Sequence, residues 1–281
     1  MVLVLGAVAY DPIVVTIWEG FKNYFEKRNL RFDYVLYSNY ERQVEALIDG
    51  TIHVAWNSPL AWIRSRRLAR ARGLSVEAIA MRDSDCDLTS VIAVCSDAPI
   101  HTVADLKGKV VATGAIDSPQ ATLIPLAHLR RNGLSPGVDF IVQRHDVMCG
   151  KHGDHIGGER LAATALMAAK ADAACMIKSN YALFEKEGLF PVQATRVLTT
   201  TVLYDHCNMT AGPAAENVEQ FRQSLLDMSY EDPEIRPLFE LEGLKRWREA
   251  RESGYSELEA AVDQFGLYDP NGKIITADHK F

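Results

Sequence analysis

The sequence predicts an α/β protein of two lobes, each built around a largely parallel sheet. Short apolar runs alternate with amphipathic segments of helix length, which is typical of parallel strands covered by helices. A chain of 281 residues with 48% hydrophobic content also tends to divide into more than one core. Because the alternation restarts near residue 100, we expect lobe 1 at residues 1–93 plus 200–281 and lobe 2 at residues 94–199.

The first lobe opens with repeated strand–helix pairs. Asp11 and Pro12 end the first strand, and Gly50 ends the second helix. Ser38 and Glu41 stand at capping-box spacing before that helix. The predicted strands are 2–9, 32–37, 52–56 and 76–81, and the predicted helices are 14–25, 38–50 and 57–72.

The second lobe repeats the same rhythm. Two runs rich in β-branched residues, 90–95 and 196–204, are expected to be crossover strands that join the lobes. Between them we predict strands at 110–113, 139–142 and 173–177, a helix after Ser118 and Pro119, and a helix at 159–169. Helical patterns continue from residue 214, with a start at Pro233 and an apolar stripe that ends at Phe265.

Charge and hydropathy narrow the class of partner. Lys and Arg total 30 against 37 for Asp and Glu, so the formal charge of −7 gives no reason to expect a nucleic acid partner. No apolar run approaches the ~20 residues of a membrane helix, so no transmembrane segment is expected. The start lacks the features of a secretory signal, and five cysteines leave at least one unpaired. The protein is therefore either cytoplasmic, or periplasmic or extracellular with a signal segment removed.

Several ordered motifs together resemble a known family. They are GAVAYDP from Gly6, YERQVEALIDG from Tyr40, IHVAWNSPLA from Ile52, VADLKGK from Val103 and ALMAAKADAA from Ala165, together with residues 90–100 and 118–125. Over roughly residues 4–266 the chain resembles the phosphonate/phosphate class of substrate-binding proteins from ABC importers. The resemblance implies the type II periplasmic-binding-protein fold, with two Rossmann-like lobes joined by two crossover strands. It also implies a small-molecule ligand in a cleft between the lobes and an ABC transporter permease as partner.

The resemblance carries over to a few site residues and departs at others. Tyr40 matches the family's aromatic residue on the second helix, and Ser118 matches the first serine of its Ser-Thr-Ser turn. Pro119 and Gln120 replace the other two members of that turn, and Pro119 removes one N–H donor. Glu159 stands where the family has a histidine. The resemblance therefore implies a polar or zwitterionic solute, bearing an oxyanion group or not, rather than an unmodified phosphonate.

Two loops after predicted strands supply further ligand-binding candidates. Trp56, Asn57 and Ser58 follow one parallel strand, and Tyr10 and Asp11 follow another. Ligands of open α/β sheets bind at the carboxyl ends of strands, so these side chains are candidates for contact. The alternative is local: Ser58 or Asn57 caps the next helix, and Asp11 forms a turn.

A glycine-rich segment carries the best candidate metal ligands. Cys149, His152, His155 and Glu159 lie close together in sequence, and a helix reaching back to His155 would place His155 and Glu159 on one face. The alternative is a solvated loop whose polar residues contact water or the ligand.

An enzyme on the same fold is the competing hypothesis, similar to the pyrimidine synthases of thiamine biosynthesis or menaquinone-pathway enzymes. His206 and Cys207 follow the second crossover run, and His206 is also a ligand-binding candidate. A lyase or metal-assisted reaction would use His155, Glu159, His206 and Cys207 as acid, base, ligand or nucleophile. No GxSxG, HExxH, P-loop or dinucleotide fingerprint occurs, and no cofactor is expected. A solute-binding protein is the leading prediction.

Overall fold

The computed structural model describes residues 2–151 and 156–275. Within these ranges the strands are β1 (Leu3–Val8), β2 (Phe32–Tyr37), β3 (Val54–Asn57), β4 (Glu77–Arg82), β5 (Ser90–Cys95), β6 (Val110–Thr113), β7 (Ile141–Arg144), β8 (Ala173–Ile177), β9 (Thr195–Thr200), β10 (Asn208–Ala211) and β11 (Trp247–Arg248). The α-helices are α1 (Ile13–Lys27), α2 (Tyr40–Ile48), α3 (Pro59–Ala71), α4 (Ile124–Arg131), α5 (Ile156–Met167), α6 (Lys178–Lys186), α7 (Val218–Leu226), α8 (Arg236–Glu242) and α9 (Ser256–Phe265). No described helix is both long and apolar enough to cross a membrane.

The chain divides into two compact units. Among the described residues, the first contains 2–86, Asp205–Tyr255 and Asp269–Lys273, and the second contains Asp87–Tyr204, Ser256–Tyr268 and residues 274 and 275. The structural division differs from the expected boundaries at 93/94 and 199/200 by about seven and five residues, and it assigns Ser256–Tyr268, which was expected in lobe 1, to the second unit. The difference arises because β5 and β9 both belong entirely to the second sheet, and because α9 packs against α4.

The first unit contains a six-stranded mixed sheet in the order β11-β4-β10-β3-β1-β2. β1 pairs in parallel with β2 and with β3, as the strand–helix alternation predicts. β10 lies between β3 and β4 and is antiparallel to both, so β4 runs parallel to β3 without touching it. No strand was predicted at β10, which is only four residues long and is buried at every position, polar residues included.

An aromatic cluster fills the core beneath the first sheet. The Phe25 ring lies 4.9 Å from the Phe32 ring and 5.2 Å from the Phe221 ring. Phe21 and Trp247 extend the cluster with their ring centroids 6.2 Å apart. Each such side chain contributes about 1.5–3 kcal/mol by leaving water, so this face anchors α1 and α7 to the strands.

The second unit contains a five-stranded sheet in the order β7-β6-β8-β5-β9. β6 pairs in parallel with β7 and β8, whereas β5 is antiparallel to both β8 and β9. Apolar clusters cover both faces: one packs Ala162, Leu166 and Phe184 against the sheet, and the other packs Leu126 and Leu129. The predicted α/β class is therefore confirmed.

Helix starts follow from local capping. Asn39, rather than the predicted Ser38, caps α2, because its Oδ1 accepts the backbone N–H of Arg42 at 2.9 Å. Ser58 caps α3 in the same way, with its Oγ accepting the N–H of Ala61. Each cap of this kind stabilises a helix by about 1 kcal/mol.

Candidate functional sites at the carboxyl edges of the two sheets

The carboxyl ends of β1, β3 and β4 meet at one edge of the first sheet. Because β10 is antiparallel, its first residue, Asn208, lies at the same edge and pairs with Asn57 of β3. The segments that follow β1, β3 and β4 and the segment that precedes β10 therefore lie at the same edge. This edge is the usual location of ligands in open α/β sheets. Eight predicted site residues belong to this unit: Tyr10, Asp11, Tyr40, Trp56, Asn57, Ser58, His206 and Cys207.

Asn57 lies at the centre of a buried polar network. Its Oδ1 accepts a hydrogen bond from Gln43 Nε2 at 2.8 Å. Its Nδ2 donates to Thr210 Oγ1 at 2.9 Å and to Ser65 Oγ at 3.3 Å. Thr210 in turn donates to the side-chain oxygen of Asn208 at 2.7 Å. All of these side chains are fully buried, so Asn57 ties β3 to β10, α2 and α3.

The two predicted aromatic contacts are also buried. Tyr40 is 4% exposed and packs among apolar residues of α2 and α3, and Trp56 is 6% exposed in the main core. The Trp56 ring lies edge-on to Trp247 at 5.6 Å and carries the Arg82 guanidinium 5.2 Å from its centroid. A role for either ring in ligand contact stays a prediction.

The first and third strand ends have local roles. The Asp11 side chain is exposed, and its Oδ1 accepts the backbone N–H of Ile13 at 2.9 Å, which fixes the turn into α1. Tyr10 is partly buried against the core. Ser58 is fully buried as the cap of α3. Asp11 therefore forms a turn and Ser58 caps a helix, as the local alternatives predict.

His206 and Cys207 face a third residue that the sequence analysis missed. His206 Nδ1 lies 3.1 Å from Cys207 Sγ and 3.5 Å from Asp85 Oδ1, and all three residues are buried. The backbone N–H of Cys207 also donates to Asp85 Oδ1 at 3.2 Å. Asp85 follows β4, and the argument applied to the residues after β1 and β3 would have included it.

Charged side chains surround this cluster. Arg82 donates from Nε to Asp85 Oδ2 at 2.5 Å and from a terminal nitrogen to Oδ1 at 2.9 Å. Its other terminal nitrogen lies 3.6 Å from a carboxylate oxygen of Glu242. Arg251 forms a two-bond pair with Asp205, at 2.6 and 2.7 Å. The segment before β10 is held against the segment after β4 by backbone donors: the N–H of His206 donates to the Asp85 carbonyl at 2.9 Å, and that of Cys207 donates to Asp85 Oδ1 at 3.2 Å.

A separate cavity of about 420 Å³ opens at the opposite, amino end of the first sheet. Leu3, Arg31 and Gln220 are among its lining residues. None of the predicted site residues is among those that line this cavity, so the cavity does not support their predicted role in ligand binding.

The second sheet brings Ser118, Gln120 and Ser90 to its own carboxyl edge. Ser118 Oγ accepts the N–H of Ala121 at 3.2 Å and caps a π-helical turn, Pro119–Leu123, that leads into α4. Ser90 Oγ donates to the backbone oxygen of Gln120 at 2.5 Å. Ser118 therefore caps a helical turn, as the capping alternative predicts. The Gln120 side chain is buried, with 3% of its surface exposed.

Glu159 lies in the first turn of α5 and is fully buried. Its Oε2 accepts the backbone N–H of Ile177 at 3.0 Å and the side-chain amide of Asn180 at 2.9 Å. The neighbouring Gly158 packs against the backbone of Gly114, where an added Cβ would meet Gly114 Cα at 3.1 Å. Glu159 thus lies close to the turn that leads from β6 to Ser118.

The other residues of the predicted metal set have a different setting. Cys149 is exposed as a residue, but partial burial of its thiol group, together with nearby Asp117 and Asp146, raises the pKa of the thiol to about 11. Asp117 Oδ2 accepts the backbone N–H of Gly150 at 2.7 Å. His152 and His155 lie outside the described residues, so this metal set and the His155 catalytic role stay predictions.

Comparison with known proteins identifies the family. A family model described as "ABC transporter, phosphonate, periplasmic substrate-binding protein" matches residues 8–255. No curated protein sequence matches the chain.

Solved structures resemble the chain over nearly its full length. PhnD1 from Prochlorococcus marinus in complex with methylphosphonate is 17% identical, with a TM-score of 0.67. The match covers 94% of this chain and 98% of the PhnD1 chain. A Xanthomonas citri protein bound to ATP is 16% identical, with a TM-score of 0.71, covering 94% and 97%. The aliphatic sulphonate binding protein SsuA from Escherichia coli is 20% identical, with a TM-score of 0.53, covering 93% and 82%. At these identities the likeness shows the fold alone, whereas the family match covers most of the chain. The chain therefore belongs to the phosphonate family of periplasmic substrate-binding proteins of ABC transporters.

Proposed function

We propose that this protein binds a small zwitterionic solute, with an amine at one end and a phosphonate or sulfonate at the other, and presents it to an ABC transporter permease. The observation that carries the proposal is the buried carboxylate of Glu159 beside the turn at Ser118, within a family of phosphonate-binding proteins. The anionic end follows from the relatives, whose described ligands include methylphosphonate and aliphatic sulphonates.

The cationic end follows from the acidic character of the second sheet's carboxyl edge. Three carboxylates, those of Asp117, Asp146 and Glu159, belong to segments that adjoin this edge, as do two cations: Arg144, which pairs with Asp146 at 3.5 Å, and Lys178. Asp117 Oδ1 is buried and has no hydrogen-bond partner among the described residues. A carboxylate repels a phosphonate dianion and attracts an ammonium group, so an amine-bearing solute suits the neighbourhood of Asp117 and Glu159 better than a simple oxyanion.

The binding function is favoured over the enzyme alternative. Family membership supports a receptor, and the geometry of His206 gives no support to a relay. Nucleophile activation needs one imidazole nitrogen toward the thiol and the other toward an orienting carboxylate. Here the same nitrogen, Nδ1, lies near both Cys207 Sγ and Asp85 Oδ1.

A binding panel tests the proposal. We would compare methylphosphonate, 2-aminoethylphosphonate, ethanesulfonate and taurine by thermal shift and by isothermal titration calorimetry. A ligand present at 100 times its Kd stabilises the protein by about 2.7 kcal/mol, so binding raises the melting temperature. We expect the two amine-bearing compounds to bind at least tenfold more tightly than their amine-free counterparts. Equal affinities, or tighter binding of the amine-free compounds, would contradict the proposed ligand class.

The variant Glu159→Gln isolates the carboxylate. Glutamine keeps an oxygen that can accept from Ile177 and Asn180, so folding is expected to be preserved. The preference for the amine-bearing compounds should then fall, whereas Glu187→Gln, a change at an exposed glutamate of α6's C-terminus, should leave it unchanged. An unchanged preference in Glu159→Gln would remove the carboxylate from the argument.

A further inference from the structure

We propose that Asp85, His206 and Cys207 form a binding site for a divalent metal ion of the zinc type in the first unit. One ligand atom from each residue lies within 4.8 Å of the other two. A carboxylate oxygen, an imidazole nitrogen and a thiolate sulfur are the three kinds of atom that bind zinc in proteins. This inference goes beyond the proposed solute-binding function. Its three residues belong to the first unit, whereas Glu159 and Ser118 belong to the second.

The distances match a metal centre. Nδ1 of His206 lies 3.1 Å from Sγ of Cys207 and 3.5 Å from Oδ1 of Asp85. Bonds of about 2.0 Å to nitrogen and 2.3 Å to sulfur place tetrahedral ligand atoms roughly 3.3–3.7 Å apart. Both distances from Nδ1 are close to this range, and the sulfur and the carboxylate oxygen lie within 4.8 Å of each other, so an ion would fit once the three side chains draw together. Three protein ligands leave a fourth position for water or another ligand.

The direction of the imidazole favours a metal over acid–base chemistry. The single nitrogen Nδ1 faces both Cys207 and Asp85, and the three ligand atoms lie within 4.8 Å of one another. Convergence is what coordination needs, whereas proton relay needs the two imidazole nitrogens on opposite sides.

Charge also favours a cation at this point. Arg82 carries one positive charge between the buried carboxylates of Asp85 and Glu242, so this trio carries one net negative charge. Buried charge is costly unless it is balanced. A divalent ion with the Cys207 thiolate adds one net positive charge and brings the group to neutrality.

Arg82 has the position of an outer partner of the metal ligand. It donates two hydrogen bonds to Asp85, at 2.5 and 2.9 Å, and these bonds hold the carboxylate in place. Carboxylates that bind metals are commonly fixed in this way by a second residue. The ion would join the chain after β4 to the chain before β10, the two stretches where the chain leaves and re-enters the first unit.

Cobalt substitution tests the site. We would treat the full-length protein with a chelator under reducing conditions and titrate it with Co²⁺, measuring absorbance and metal stoichiometry. We expect one equivalent of Co²⁺ per chain and a thiolate-to-cobalt charge-transfer band, with Zn²⁺ displacing the cobalt. The band should disappear in Cys207→Ser and persist in Cys149→Ser, the matched change in the other candidate metal set.

Two further variants keep the test independent of folding in Cys207→Ser. Asp85→Asn and His206→Asn retain the thiol, and each should weaken Zn²⁺ affinity by tenfold or more, since even outer-shell changes cost 10–100-fold. The absence of a charge-transfer band in the wild type would overturn the proposal. Loss of the band in Cys149→Ser with retention in Cys207→Ser would also overturn it. Solute binding is measured separately, so failure here leaves the proposed function standing.

Discussion

Replacing Asn57 with alanine removes three buried hydrogen bonds in one step. These are the bonds from Gln43 at 2.8 Å, to Thr210 at 2.9 Å and to Ser65 at 3.3 Å. Each contributes about 1 kcal/mol net, so the expected loss is about 3 kcal/mol in the free energy of unfolding. The loss stays near that figure because every partner keeps another bond: Gln43 donates to the Trp56 carbonyl, Thr210 to Asn208, and Ser65 to the Ala61 carbonyl.

Urea denaturation followed by tryptophan fluorescence measures this loss. Asn39→Ala is the matched control, because it removes the single capping bond to Arg42 and should cost only about 1 kcal/mol. At roughly 2–4 °C per kcal/mol, the melting temperature of Asn57→Ala should fall by about 9 °C. A loss below about 0.5 kcal/mol would refute the view that Asn57 holds the network together.

Three further outcomes are expected. Burial and a neighbouring arginine lower the pKa of His128, so the unfolded state binds the proton more readily and stability falls as the pH drops below about 6.5. His128→Gln should therefore flatten the decline in melting temperature between about pH 7 and pH 5, and an unchanged decline would contradict this. The pKa of Cys149 is raised to about 11, so its rate of alkylation by iodoacetamide should still be rising above pH 9. The fully buried Cys175 should be alkylated only when the protein unfolds, and peptide mass spectrometry measures both rates. Gly158→Ala should lower the melting temperature, because its Cβ would lie 2.9 Å from the His145 carbonyl oxygen, and an unchanged or higher melting temperature would show that the backbone yields.

Local patterns predicted the regular parts of the fold. The bounds of β2 agree with the predicted 32–37, since an apolar run is flanked by clear stop signals. β10 was missed because it is only four residues long and both of its faces are buried. Asn208 and Thr210 are polar yet fully buried, so the alternation of polar and apolar residues does not mark a solvent-facing side. These polar side chains can be buried because they form hydrogen bonds with each other and with Asn57. Asn57 lies about 150 residues earlier, so a local sequence pattern does not reveal these partners.

The same limit applies to the candidate sites. Capping by Ser58 and Ser118 follows from residues three positions apart, and spacing alone predicts it. The partner of His206 and Cys207 is Asp85, more than a hundred residues earlier. Only the position of β10 beside β4 brings them together, and no local pattern contains that information.

We expect this chain to bind a small solute without converting it. Calorimetric titration with 2-aminoethylphosphonate, followed by ³¹P NMR of the same sample during prolonged incubation, measures binding and turnover together. One saturable site per chain is expected, with a phosphorus signal that returns unchanged when the protein is denatured. A new phosphorus resonance that grows with time and protein concentration would show turnover, and the absence of any binding heat across a range of temperatures would contradict the receptor function itself.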